Sequence, residues 1–377
     1  STKLRTKKST YGKMNGWQIN SYGDLSELQF NENLKIPQLQ SPTSVLIKVS
    51  ASSVNPIDLL MINGYGKDFL NKLRFSNGNG EDNIEFPLVL GRDFCGKIIR
   101  KGMNVDDDEL KINDQVWGVV PVHEQGCHAE YVAVDSSCVT RLPENIDHID
   151  GSAILYAGLT AWSGLFLSGQ LGNLCGALTS DGGGKGKKVL VLGSSGGVGS
   201  LAVQILLAEE VKVYATCSTD AIPMVKNLAV ENIFDYKDPN HVQDLINSSP
   251  YDIILDCAGK GTEYANQLPW KFKNYVTFSS PLIKNFDTHG LSSGALRNVS
   301  NLLINNMNSI TSQNGPIKWG YFLPAPHGIK YLKKLVERKK ILPIVEKVYG
   351  YQNTLNAYQR IEDGHLRGKI VINFDSE

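Results

Sequence analysis

Gly193-Ser194-Ser195-Gly196-Gly197-Val198-Gly199 lies between an apolar run ending at Leu192 and a second opening at Leu201. Glycines at such spacing permit a tight turn, close approach of backbone to a pyrophosphate, and close packing of a helix on a strand. A helix starting there aims free N–H groups and its positive dipole end at the phosphates. The predicted chemistry is dinucleotide binding, with Ser195, Gly196, Gly197 and Val198 around the phosphates. The spacing departs from a plain G-x-G-x-x-G, so the strand–loop–helix context carries the reading. A glycine-rich turn without a ligand is the plainer alternative.

The next strand, VKVYAT, ends at Thr216-Cys217-Ser218 without the acidic residue that binds a ribose 2′-OH in NAD sites. Ser218 can donate to a 2′-phosphate, with Lys226 or Lys237 adding charge, so NADPH is the expected cofactor. Asp220 dissents, but an Asp before a helix containing Pro223 reads better as a cap. Tyr236, after NIFD, offers an aromatic face for adenine and a hydroxyl for phosphate; strand packing is the alternative. Cys257 and Gly259 end a strand at the sheet edge where such ligands sit. Asn55-Pro56-Ile57-Asp58 marks a turn, and Tyr65, between glycines, could orient a carbonyl, donate a proton or simply pack. Arg92-Asp93 reads as a buried ion pair.

These residues need elements to hold them. Up to about residue 150 the pattern is β-rich, with SVLIKVSASSV (44–54), FCGKIIRKG (94–102), QVWGVVPV (115–122) and HAEYVAV (128–134). From 188 apolar strands alternate with helices through VLVLG, VKVYATC, NIFDY, DIILDC and NYVTFS, which predicts a parallel sheet covered on both faces. After 327 a basic helix and a final strand, GKIVINF, return to the first texture. The expectation is an α/β protein, a β-rich domain with a doubly wound domain inserted. At 377 residues two domains are natural, and 41% hydrophobic with 20% charged residues suits a full core. A formal net charge of zero gives no global field for nucleic acid or anionic membrane. Six scattered cysteines without a C-x-x-C pair fit a reducing compartment. The basic segment 1–23 reads as a solvated tail, with a transit-peptide remnant as the alternative. Residues 151–180 carry no charge but six glycines, so they read as a buried helix and a Gly-rich insertion, not a membrane span.

ASSVNPIDLLMINGYG, FPLVLGRDFCG, LYAGLTAW, GSSGGVG, DYK and GHLRGKIVIN together resemble the medium-chain dehydrogenase/reductase superfamily, in its quinone oxidoreductase branch. The resemblance implies a GroES-like catalytic domain over 14–153, completed by 327–377, and a Rossmann domain over 154–326. It implies NADPH-dependent reduction of quinone-like compounds, a mitochondrial matrix location and a link to ubiquinone biosynthesis. A homodimer and a reticulon-type membrane protein are the expected partners. It places Asn55, with Asp58, near the nicotinamide, and turns Tyr236 toward ligand binding. Phe278, Ser279, Tyr321, Phe322, His365 and Arg367 are carried over as cofactor contacts. Zinc alcohol dehydrogenases share the superfamily, and Cys127-His128 mimics their ligands from outside the catalytic loop. Their ligand positions here hold Asn55, Arg92 and Ala157, which predicts no metal. A partner-binding scaffold is the rival reading.

Overall fold

The computed structural model describes residues 12–76, 85–172 and 183–375. Nine strands and five helices position the candidate site. β1 (Ser44–Val54), β2 (Asp93–Lys101) and β9 (Lys369–Asn373) belong to a seven-stranded sheet, with β9 antiparallel to β1 and Ile370 opposite Val54. The last strand of the chain therefore lies against the first long one. β1 is buried on both faces along most of its length.

The inserted sheet has six strands in the order β5 (Asn232–Asp235), β4 (Lys212–Cys217), β3 (Lys188–Leu192), β6 (Ile253–Asp256), β7 (Tyr275–Thr277) and β8 (Ile317–Trp319). All five pairings are parallel. Chain order reverses between β3 and β6, which opens the crevice in which doubly wound sheets bind ligands. β3 passes directly into helix α3 (Gly197–Ala208). The expected α/β architecture is what the chain adopts. Its uncharged segment begins as a buried helix, Leu155–Trp162, that runs on as a π-helical turn to Ser168. The Gly-rich insertion that follows lies mostly outside the described residues, and no described helix is long and apolar enough to cross a membrane.

Two short helices follow β1. Helix α1 (Pro56–Ile62) starts at Asn55, and helix α2 (Lys67–Ser76) follows two turns later. Asp287, in helix α4 (Leu282–Thr311), accepts from the Gly66 and Phe69 N–H groups at 2.7 and 3.1 Å. A carboxylate there complements the dipole of α2, and Phe69 stacks on Phe286 with centroids 4.9 Å apart. The segment 66–76 is thereby latched to the nucleotide-sheet side; residues 77–82 of the same insertion lie outside the described residues.

The β3–α3 turn is a tight joint in this frame. A Cβ on Gly199 would lie 2.1 Å from the Gly193 carbonyl oxygen, whereas one on Gly196 meets nothing nearer than 3.8 Å. Gly199→Ala should cost about 1–3 kcal/mol of overpacking, and Gly196→Ala much less. Urea unfolding of both variants checks the difference; equal stabilities would contradict this packing.

Candidate functional site

The carboxyl edge of the six-stranded sheet gathers most of the expected cofactor residues. Register sets this: Cys217 is opposite Asp235, so the residues that follow, Ser218 and Tyr236, emerge side by side. The Tyr236 N–H donates to the Cys217 carbonyl at 3.1 Å, and its ring is half exposed. Cys257 leaves β6 beside the glycine loop, its N–H bonded to the Leu192 carbonyl at 3.0 Å. Phe278 and Ser279 leave β7, and Tyr321 and Phe322 leave β8. Phe278 packs closely on Gly164 and Gly320, and Phe322 stacks on Tyr156 with centroids 4.4 Å apart.

Arg367 reaches this edge from the other sheet's side. Its guanidinium donates to Ser218 Oγ at 3.0 Å and forms a close ion pair with Asp220. Lys237 Nζ stands 3.8 Å from the other Asp220 oxygen. Asp220 is therefore no helix cap: it is an exposed carboxylate held between two cations. Hydrogen bonds from Ser218 and Arg367 hold its pKa well below the usual range. His365 supplies its carbonyl to Arg367 at 3.1 Å, from a left-handed backbone conformation. A serine hydroxyl, a guanidinium and a lysine at a strand end suit a phosphate better than ribose hydroxyls.

The glycine loop is also fixed from outside its own domain. Gly368 N–H donates to the Ser195 carbonyl at 2.9 Å, and Gly196 bridges to Gly368. Beyond Gly368 comes Lys369, which is buried, and whose Nζ hydrogen-bonds closely to the Asn55 side-chain oxygen. Asn55 Nδ2 donates to Asp93 at 3.0 Å and to Ser53 Oγ at 3.2 Å; Ser53 Oγ donates to the same Asp93 oxygen at 2.6 Å. The other Asp93 oxygen accepts from the Tyr156 N–H at 3.1 Å. Burial pushes the Asp93 carboxyl up and the Lys369 ammonium down, while each draws the other back toward its charged form. Tyr65 lies within electrostatic reach of Tyr156, its hydroxyl pKa raised by burial and by Asp287.

Two expectations change here. Arg92 and Asp93 do not pair: Arg92 gives its hydrogen bonds to the carbonyls of Pro121, Glu124 and Val89, at 2.7, 3.1 and 3.4 Å. Adjacent residues of a strand face opposite ways, so each found its own partners. Asp58 accepts from the N–H groups of Asn55 and Gly91, each at 2.8 Å, one at each oxygen, which makes it a brace for Asn55. Lys369 and Tyr156 had no role assigned from the sequence. Lysines are seldom fully buried without a partner, so a lysine at the start of the last strand gives no sign of burial by itself.

A zinc ion does not fit. Ligation needs free donors, yet the Asn55 amide is engaged by Lys369, Asp93 and Ser53, and Arg92 brings a cation. Cys127 shares a hydrogen bond with Ser52 at 3.3 Å, and burial drives its pKa far up. His128 is engaged at both ring nitrogens, by Tyr358 Oη at 2.7 Å and the Ser53 carbonyl at 3.1 Å. Among the described residues no group of three or more His, Cys, Asp or Glu could hold a metal.

Two family models match the chain: alcohol dehydrogenase GroES-like domain over residues 41–144, and zinc-binding dehydrogenase over 228–372. A Drosophila melanogaster protein named NAD(P)H oxidoreductase RTN4IP1, mitochondrial, is 50% identical over 366 residues, covering 97% of this chain and 87% of its own. The human protein of the same name is 34% identical over 372 residues, covering 96% and 89%. Among solved structures, the quinone oxidoreductase from Coxiella burnetii superposes with a TM-score of 0.74 at 23% identity, covering 96% of this chain and 99% of that one. At that identity the likeness speaks for fold.

The His128 contacts generate a pH prediction. A carbonyl can only accept, so Nε2 carries the proton and Nδ1 accepts from Tyr358. Burial lowers the His128 pKa below its ordinary 6.5. The unfolded chain then takes up a proton that the folded chain refuses, so stability is full above about pH 6.5 and falls as pH drops below it. His128→Asn should lower stability and flatten this slope in urea titrations from pH 7.5 to 5.5; an unchanged slope would contradict the neutral buried ring.

Proposed function

Since the chain belongs to the RTN4IP1 family of mitochondrial NAD(P)H oxidoreductases, within the medium-chain dehydrogenase/reductase superfamily, we propose that it reduces quinones or related conjugated carbonyls with NADPH and without a metal. The observation that carries the reading is the set Ser218, Arg367, Lys237 and Tyr236 at the strand end beside the glycine loop. Ser195, Gly196, Gly197 and Val198 would hold the pyrophosphate at the start of α3, where a Cβ on Gly196 would meet nothing nearer than 3.8 Å. Ser218, Arg367 and Tyr236 would hold the 2′-phosphate, and Cys257, Phe278, Ser279, Tyr321 and Phe322 would line the remaining edge.

When bound, the nicotinamide supplies the hydride. The protein's part is placement. Asn55, locked by Lys369 and Asp93, presents a fixed amide at the junction of the two sheets. Tyr65, with its raised pKa, stays protonated at neutral pH and can donate a hydrogen bond to a substrate oxygen. The engaged Asn55 amide and the Arg92 cation at the zinc-ligand positions support metal-free chemistry. A matrix location, a link to ubiquinone biosynthesis, a homodimer and a reticulon-type partner belong to the same reading and rest on the family resemblance.

NADPH oxidation against a panel of quinones, enals and aldehydes tests the proposal. Quinones should turn over fastest, and a strong chelator should leave the rate unchanged. Arg367→Ala should weaken NADPH binding about tenfold or more, the loss of one charge-assisted bond or two, while NADH binding changes little. No quinone turnover, a chelator-sensitive rate, or equal losses for both cofactors would overturn it.

A further inference from the structure

Helix α2 has no cap of its own. The residue before it is Gly66, which lacks a side-chain oxygen to offer the Phe69 N–H. Asp287 takes that role from 218 positions away, and its second oxygen accepts from the Gly66 N–H at 2.7 Å. The Gly66 N–H belongs to the peptide that closes Tyr65, so this bond fixes the plane of the Tyr65 carbonyl as well. On the other side, the Tyr65 N–H donates to the Leu60 carbonyl at 2.9 Å. The flanking Gly64 and Gly66 are left-handed, at φ 85° and 78°, so those two bonds do the holding that side chains cannot. Tyr65 Oη itself makes no hydrogen bond to any described residue.

The two ends of this joint belong to different sheets. Leu70 of α2 is buried with Met61 and Ile62 of α1, and the Arg74 guanidinium donates to the His123 carbonyl at 2.8 Å. His123 precedes Glu124, whose carbonyl holds Arg92, so α2 is fixed to the first sheet's side. Asp287 is mounted on the six-stranded sheet. Asn306 of α4 accepts from the Ile317 N–H of β8 at 2.9 Å and donates to its carbonyl at 3.1 Å. Asn298 accepts from Asn285 at 2.7 Å and donates to the Leu282 carbonyl at 3.2 Å, which folds the arm bearing Asp287 back onto the rest of α4. That arm begins three residues after Ser279, at the carboxyl edge of the sheet.

On the reading of Tyr65 as hydrogen-bond donor to the substrate, we propose that Asp287 is its positioning residue, anchoring the Gly66 peptide from the cofactor side of the crevice. A cap for α2 alone needs no such reach, since a serine or aspartate beside the helix would serve. With the acceptor on α4, the tyrosine is set only when the two sheets stand together. A Cβ on Gly66 would lie 3.3 Å from Ile283 Cγ2, so the segments touch where Tyr65 is held. Tyr65 is within electrostatic reach of Tyr156, whose ring stacks on Phe322 at the cofactor edge. Donor and cofactor edge thus share one mount.

A double-mutant cycle tests this, run with NADPH and whichever quinone, enal or aldehyde turns over fastest. Tyr65→Phe and Asp287→Ala should each lower kcat/KM at least tenfold, with NADPH affinity changed less than threefold. Because Asp287 acts through Tyr65, adding Asp287→Ala to Tyr65→Phe should lower kcat/KM less than threefold further. Asp287→Asn, which keeps one acceptor oxygen, should lose less than Asp287→Ala. Amide exchange over residues 65–72 should quicken at least tenfold in Asp287→Ala and stay at the wild-type rate in Tyr65→Phe, a readout that needs no turnover. Losses that multiply in the double variant, an unchanged kcat/KM in Asp287→Ala, or unchanged exchange would overturn the inference alone. A wild type inactive with every substrate of the panel fails the proposed function and this inference with it.

Discussion

Lys369 is a charge taken out of water, and the junction between the two sheets is organised around compensating it. An ammonium so buried costs several kcal/mol unless opposing charge and hydrogen bonds surround it. Asn55 relays between Lys369 and Asp93, Ser53 supports the same carboxylate oxygen, and Tyr156 N–H takes the other. Lys369 also sits against the glycine loop: a Cβ on Gly197 would meet its Cδ at 2.8 Å. One residue thus ties the phosphate-binding turn, the candidate catalytic amide and the helix carrying Tyr156 into a single unit. Displacing any of the three would leave a buried charge without its partners, which is why the geometry holds before a ligand arrives.

Hydrogen bonding likewise leaves no free donor for a zinc ion at Asn55 or Arg92. Both side chains are engaged by hydrogen bonds within the protein. Asn55 gives its amide to Lys369 and Asp93, and Arg92 gives its guanidinium to three carbonyls. A fold shared with zinc enzymes does not by itself supply a metal site, because the chemistry resides in the side chains set on the fold.

Much of the fold was legible because its signals are local. Apolar strands alternating with helices marked the parallel sheet, and the glycine loop marked its first crossover. The strand-end donors followed from register: once β4 and β5 pair in parallel, Ser218 and Tyr236 must be neighbours. What was missed depends on contacts distant in sequence. Lys369 meets Asn55 across 314 positions, and nothing near GKIVIN signals that the lysine points inward. Asp220 looked like a cap because its partner, Arg367, is 147 residues away. Asp58 entered with Asn55 through the family resemblance, and the backbone N–H groups of Asn55 and Gly91 bind its two oxygens. Helix α4 gave no clear signal, since its leucines alternate with asparagines that face inward.

The central claim is that Lys369 holds Asn55 in place for hydride transfer. The most direct measurement is the single-turnover rate of NADPH oxidation by Lys369→Met, compared with its NADPH affinity. Methionine keeps a stem against Gly197 but cannot hydrogen-bond to Asn55. The account predicts a folded, less stable protein whose NADPH affinity changes by less than threefold while hydride transfer slows at least tenfold, with partial recovery in Lys369→Arg. A folded Lys369→Met variant that transfers hydride at the wild-type rate would contradict it.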